Sequence, residues 1–507
     1  MSAKVRSVIS HGTRGLLVDI ECSFSNSLPG IVIVGSAAKA VDEAKERLRA
    51  AFSGTELSLP RKRITLNLAP ADLPKNDSGL DLGMAAAILL ASQQIRLASS
   101  ANTAFIGELG LDGSVRATRG IIGKLLAARD KGITDFYLSD EDIEQAQLVP
   151  RIRLHPVTTL QELTSLLDGS VRRPSYIETG KGIHALPPAA APADPFIDIV
   201  GQAIAKRALE IAAAGGHNVL FSGPPGTGKT MLAKCLPQLL PPLNQEEILE
   251  VSQLHSLTNT DYDKPTFVRP FRAPHHSASH VSITGGGHNL RPGEISLSHR
   301  GVLFLDELPE FNRLTIEALR QPLEDRTISV TRAKDSIEYP ANFILIATAN
   351  PCPCGFYGSS KPCTCQPYQI QRYQQRLSGP IIDRIDLFAN VHEVEHAKLL
   401  SSNVSKTNGS SPRLKIQRAR NLQRARFASS TKLNGDMTNR DIKTKAMPSP
   451  AAKELLDTAA RKLDLSARSY MRVIKLARTI ADLDDSKTVE TRHVSEALQF
   501  RPQSASL

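Results

Sequence analysis

At 507 residues the chain is too long for one ordinary core, and length alone points to about three domains. Apolar residues make up 41% and charged residues 22%, which excludes a disordered or fibrous chain, and no run of roughly 18 apolar residues offers a membrane-spanning helix. The formal charge of +11, with a pI near 9.3, permits a polyanionic partner without identifying one.

The chain opens with Lys4 and Arg6, but the apolar stretches that follow are short and interrupted by charge. No secretion signal is expected, and a cytoplasmic location is. Residues 1–168 mix β-rich runs at 30–34 and 63–68 with helical stretches at 81–92 and 123–131, the pattern of an α/β or α+β domain. Residues 169–195 read as a linker, because 186–195 is dominated by Pro and Ala and offers little apolar bulk. From 196 to 394 short apolar strands at 219–221, 301–305 and 343–347 each lead into a polar loop, as a parallel sheet covered by helices requires. After a Ser/Asn/Gly-rich break at 401–411, helical patterns at 413–427, 451–463 and 466–483 make 395–507 a helical lid.

Within the third of these segments, Gly223, Pro224, Pro225, Gly226, Thr227, Gly228, Lys229 and Thr230 match G-x-x-x-x-G-K-[ST] between a strand and a helix. Glycines there let backbone N–H groups surround phosphates at a positive helix terminus, while Lys229 reaches the β and γ oxygens and Thr230 can ligate Mg²⁺. The apolar run 302–305 delivers Asp306 and Glu307, suited to ordering the Mg²⁺ shell and polarising an attacking water. Asn350, closing the next apolar strand, suits a group that reads the γ-phosphate. Cys352, Cys354, Cys363 and Cys365 form two Cys-x-Cys pairs inside an insertion at 350–367; four soft ligands from a Pro/Gly-rich segment suit a structural Zn²⁺.

Two polar regions stand outside this site. Residues 269–280 and 285–288 carry Arg269, Arg272, His275, His276, His280 and His288, and the expectation is a DNA-contacting hairpin rather than a metal site. Arg413, Lys415, Arg418, Arg420, Arg424 and Arg426 fall in fourteen residues without an acid, a density that suits phosphate contacts. With no Trp in the chain and only Phe427 nearby, base stacking and sequence-selective binding are not expected.

Taken together, Asp198-Ile-Val-Gly-Gln202, residues 293–310, Ala349-Asn-Pro-Cys-Pro-Cys-Gly355, residues 377–387 and the lid stretch 468–483 resemble the magnesium-chelatase-like AAA+ proteins of the YifB/ComM group, over essentially the whole chain. The resemblance implies a P-loop AAA+ parallel-sheet core with a helical lid, preceded by a Lon-protease-like α+β domain. It implies ATP and Mg²⁺, and a homo-oligomeric ring, a hexamer, with its sites between subunits. Arg384 matches the arginine finger and Arg468 the lid arginine, with Arg472 one helical turn later as a competitor. Lys124 falls at the catalytic lysine of the Lon-type domain, but Gly79 stands where the serine belongs and Ser78 is one residue early. An assembly or DNA-contact role is therefore expected of that domain, with ATP-dependent peptidase activity as an alternative. The group is associated with natural transformation and with branch migration by a hexameric helicase. This implies a partner in single-stranded, duplex or branched DNA, and a metal-chelatase motor is the competing reading.

Overall fold

The computed structural model describes residues 2–35, 39–71, 75, 77–97, 101–168, 177–179, 195–258, 264–287, 290–332, 335–359, 361–377, 379–394 and 411–502. Most of the expected linker and of the Ser/Asn/Gly-rich break, together with His288, lie outside them. The chain divides into two compact units, Met1–Leu186 with Asn244–Phe267, and Pro187–Leu243 with Val268–Leu507.

In the first unit, β1 (Ser2–His11) and β2 (Arg14–Ser25) form an antiparallel hairpin, and β4 (Arg63–Ala69) pairs antiparallel with β2 and parallel with β3 (Gly30–Val34). Ile64, Leu66 and Leu68 of β4 are buried while the residues between them are not, the period of two that fixes register on a half-buried sheet. A second sheet runs β8-β7-β6-β5, from β5 (Thr103–Ile106), β6 (Asp135–Ser139), β7 (Arg153–Val157) and β8 (Ile177–Glu178). The helix Asp81–Ala91 is buried on nearly every side, which its small and aliphatic residues allow. The helix Gln245–His255, started by a capping box of Asn244 and Glu247, belongs to this unit although it follows the phosphate loop in sequence. Gln253 there donates to the Thr13 carbonyl, and Gln145 donates to the Lys264 carbonyl at 2.9 Å.

The second unit is a mixed α/β body. Its described strands β9 (Val219–Ser222), β10 (Phe271–Arg272), β11 (Val302–Leu305), β14 (Ile344–Ala349) and β15 (Leu387–Asn390) form one parallel sheet in the order β10-β11-β14-β9-β15. The hairpin of β12 (Thr327–Arg332) and β13 (Asp335–Pro340) stands apart from it. Every residue of β11 and β14 is buried, so the uninterrupted apolar runs reflect a sheet covered on both faces. Because the strands are parallel, the C-terminal ends of β9, β11 and β14 emerge along one edge, the crevice in which open α/β sheets bind ligands. The lid comprises the helices Pro412–Phe427, Asn439–Lys445, Pro450–Lys462, Ala467–Leu483 and Thr491–Gln499, and its apolar faces share a core with the sheet. No described helix is long and apolar enough to cross a membrane.

Candidate nucleotide site

Gly226 and Gly228 take positive φ, 81° and 89°, and a Cβ on either would meet only open space. The loop thus needs glycine for its backbone path, and the space beside it is free for a ligand. The helix Lys229–Leu239 begins directly after it. Lys229 Nζ donates to the Gly223 carbonyl, to the Pro224 carbonyl at 2.9 Å and to Asn350 Oδ1 at 3.0 Å. Asn350 Nδ2 donates in turn to Glu307 Oε1 at 3.2 Å. Thr230 Oγ1 donates to Asp306 Oδ2 at 3.2 Å. Lys229, Thr230, Asp306, Glu307 and Asn350 therefore form one connected constellation, in which Thr230 and Asp306 are the oxygen donors that could hold a divalent cation.

Burial lowers the Lys229 amine to about 8, with Asp306 and Glu307 partly opposing the shift. Its present partners are neutral, two carbonyls and an amide, so a phosphate would be its first hydrogen-bonded anion among these contacts. Glu307 sits at φ 55°, in the left-handed region that a non-glycine residue occupies only under constraint. The constraint is visible: Glu307 N donates at 2.8 Å to Thr348 Oγ1, which itself donates to Asp306 Oδ1 at 2.6 Å. Sequence reasoning passed over Thr348. Its signal was the Thr-x-Asn pattern in which β14 ends, with Thr348 on the strand and Asn350 just beyond it.

Arg384 and Arg468 are not part of this constellation. They line a separate cavity of about 650 Å³ with Glu324, Arg472 and Lys475, whereas the phosphate loop lines one of about 410 Å³ with Asp198, Gln202, Lys361 and Glu393. Arg384 is paired with Glu324, and Arg468, 62% exposed, lies 3.8 Å from the same carboxylate. Arg472, the competitor, is buried and donates to the Ile385 carbonyl at 2.6 Å, which ties the lid to the loop after Arg384.

The Sγ atoms of Cys352, Cys354, Cys363 and Cys365 lie within 4.8 Å of one another. Backbone N–H groups of Cys354, Tyr357 and Cys365 point at Cys365, Cys352 and Cys363 sulfurs at 3.3 to 3.4 Å. Hydrogen bonds from the backbone at Phe356 and Thr364 are the chief causes that bring the Cys354 thiol down to about 5. Burial and the neighbouring thiols push Cys363 and Cys365 the other way, so it is the convergent sulfurs and the N–H donors that fit a single metal ion held by thiolates.

The basic segments are less available than their composition suggests. Arg420 is buried and donates to the Ala213 carbonyl at 2.8 Å, Arg426 pairs with the buried Asp482, and Arg413 donates to the Gln238 carbonyl at 2.6 Å. The dense basic run is thus partly an anchor of the lid, and Lys415 and Arg418 are its exposed members. Arg269 is likewise buried against the carbonyls of Pro241 and Arg300, and Arg272 makes a bidentate pair with Glu294. His276 packs against Phe311, and His280 meets Thr315, so among the described residues these histidines converge on no cation site.

In the first unit, Lys124 is fully buried and its Nζ lies 3.0 and 2.9 Å from the two oxygens of Asp77. Asp77 also accepts from Ser10 N and Gly79 N, both at 2.9 Å. A Cβ on Gly79 would stand 2.9 Å from Lys124 Nζ, whereas Ser78 Oγ donates to Glu108. Position 79, not 78, faces the lysine. The Ser78–Lys124 pair considered for a peptidase is split between two different carboxylates.

Three family models match: magnesium chelatase, subunit ChlI, over 195–399; subunit ChlI of Mg-chelatase over 20–142; and the subunit ChlI C-terminal region over 407–501. Among curated proteins, the chain is 41% identical to competence protein ComM of Haemophilus influenzae, over 98% of this chain and 97% of that one. It is 41% identical to the uncharacterized protein YifB of Salmonella typhimurium, over 96% and 94%. The Magnesium-chelatase 67 kDa subunit of Heliobacterium mobile is 31% identical, but over 32% of this chain and 29% of its own. Full-length identity of this degree, together with the phosphate-loop constellation on a parallel sheet, places the chain in the YifB/ComM family of magnesium-chelatase-like AAA+ proteins, a membership that implies an ATPase using ATP and Mg²⁺.

Proposed function

We propose that this chain is an ATP-hydrolysing ring motor that drives branch migration and strand unwinding of DNA during recombination in natural transformation. Lys229 and the phosphate-loop amides bind the triphosphate, Thr230 and Asp306 hold Mg²⁺, Glu307 orients the attacking water, and Asn350 links Lys229 to Glu307. Arg384 and Arg468 act on the neighbour's nucleotide. The observation that carries this reading is that these two arginines line a cavity apart from the phosphate loop of their own chain. A complete site then requires a second copy, and a closed ring, a hexamer in this reading, supplies every subunit with one.

The DNA load rests on the full-length likeness to a competence protein and on the chain's net charge of +11. The chelatase alternative is weaker, because that likeness stops at about a third of either chain. A Lon-like fold for 1–168 is part of the proposal, as are the linker at 169–195, the core at 196–394 and the lid at 395–507. We assign the Lys124–Asp77 pair there to structure rather than to peptide hydrolysis. The four cysteines hold Zn²⁺ in this reading, all four positions filled and none open for catalysis. Purified protein should move Holliday junctions and displace strands with ATP, and Lys229→Ala and Glu307→Gln should not. Robust ATP hydrolysis without movement on any branched DNA would sink the DNA reading.

A further inference from the structure

The four-cysteine insertion begins at Asn350, directly after β14, and its path returns to the phosphate loop. Cys352 is two residues beyond Asn350. Gly355, at φ 84°, approaches so closely that a Cβ there would lie 2.7 Å from Pro225 Cδ and 3.2 Å from Cγ. Lys361, between the two cysteine pairs, lines the same 410 Å³ cavity as Pro225, Gly226, Thr227 and Gly228. Its ammonium stands 5.3 Å from the Phe356 ring centroid, and its backbone N–H donates to Ser359 Oγ at 3.2 Å. Phe356 and Ser359 belong to the same loop, so the position of Lys361 is set by the loop's own fold.

We infer that the four-cysteine loop is the outer wall of the nucleotide cavity, and that a metal ion on its thiolates holds Lys361 where it contacts the phosphates of the bound nucleotide. A chain of fourteen residues, 352–365, with little apolar bulk has no core of its own to fix such a wall. Four metal–sulfur bonds supply the missing constraint. The loop reaches the site at two points, by continuity with Asn350 and by the Gly355–Pro225 contact, so its collapse would disturb both ends of the phosphate-binding surface.

This inference rests on the phosphate loop being the ATP site, and the test separates the two. Titration of the full-length protein with a fluorescent ATP analogue, beside metal analysis of the same samples, reads both quantities. Lys361→Ala should weaken binding about fivefold, the effect of one partly exposed charge-assisted contact, with metal content unchanged. Cys363→Ser with Cys365→Ser should lose the metal and weaken binding at least as much, and adding Lys361→Ala to that variant should cost little more. An unchanged Kd for Lys361→Ala, or metal loss in the cysteine variant with an unchanged Kd, overturns the inference. Purified protein without bound metal overturns it too. Lys229→Ala is the control: if that variant also binds the analogue like the parent, the ATP-site reading itself has failed.

Discussion

Lys229 and Lys124 are both buried, one beside the phosphate loop and the other in the N-terminal unit, yet their surroundings differ in kind. Lys124 is neutralised by both oxygens of Asp77, which is itself saturated by two backbone N–H groups. Lys229 is held by carbonyls and an amide, directly after a loop whose Gly226 and Gly228 leave open space for a ligand. The first arrangement is complete as it stands, while the second awaits an anion. A buried lysine therefore points to a binding site only when no anion is hydrogen-bonded to it, and residue type and burial alone do not distinguish the two.

The sharpest break in that comparison is at the site awaiting its partner. Arg384→Ala should lower kcat by about 10³-fold or more with the nucleotide still bound, as loss of an arginine finger does. Mixing Arg384→Ala subunits with Lys229→Ala subunits should restore part of the hydrolysis, since each variant supplies what the other lacks. Absence of any recovery in a mixed ring would mean that Arg384 serves no neighbour.

At the completed site the effect is on the fold. Lys124→Ala strands the Asp77 carboxylate, 14% exposed, and should destabilise the protein by about 3 kcal/mol or more, seen as a lower midpoint in urea. Lys229→Ala removes a desolvated charge that lacks a bonded anion and should leave the midpoint unchanged or higher. Equal losses from the two would erase the distinction between them.

How much of this could be read from the chain follows the range of the interactions. The phosphate loop and Asp306-Glu307 were legible because their chemistry lies in consecutive residues bounded by apolar strands. Thr348 was not, because its role depends on the parallel register that sets Leu305 against Ala347 and so brings 306 beside 348. Glu324 gave no signal either, since its meeting with Arg384 and Arg468 joins residues 60 positions apart in one case and more in the other. The basic run was legible only as a number of charges, for a related reason. Charge density says how many cations a helix carries, but Ala213 and Asp482 decide that Arg420 and Arg426 point inward.

The depressed Lys229 amine gives the nucleotide site a pH signature. Its value near 8 lies below that of an ordinary lysine, and phosphate binding needs the protonated form. ATP affinity should therefore fall as pH rises above 8, by up to about tenfold per unit. Stability should move the other way between 8 and the ordinary lysine value, since the unfolded chain binds more protons there and folding gains as the burden of a buried charge is lifted. Lys229→Arg, which stays charged throughout, should flatten the binding profile. A flat profile in the parent protein would show that its amine is not desolvated as the geometry requires.

The smallest effect is expected at Thr348, where geometry and charge can be separated. Thr348→Val keeps the β-branched shape on a fully buried strand but removes one donor to Asp306 and one acceptor for Glu307 N. Leaving that amide unpaired in a left-handed conformation should let Glu307 relax away from Asn350. The loss is about 1–2 kcal/mol, or roughly tenfold in kcat, with ATP affinity nearly preserved because Lys229 and the phosphate-loop amides are untouched. If affinity falls and kcat does not, Thr348 acts through Asp306 and the Mg²⁺ shell rather than through Glu307. Either result assigns Thr348 to the constellation; unchanged values of both would remove it.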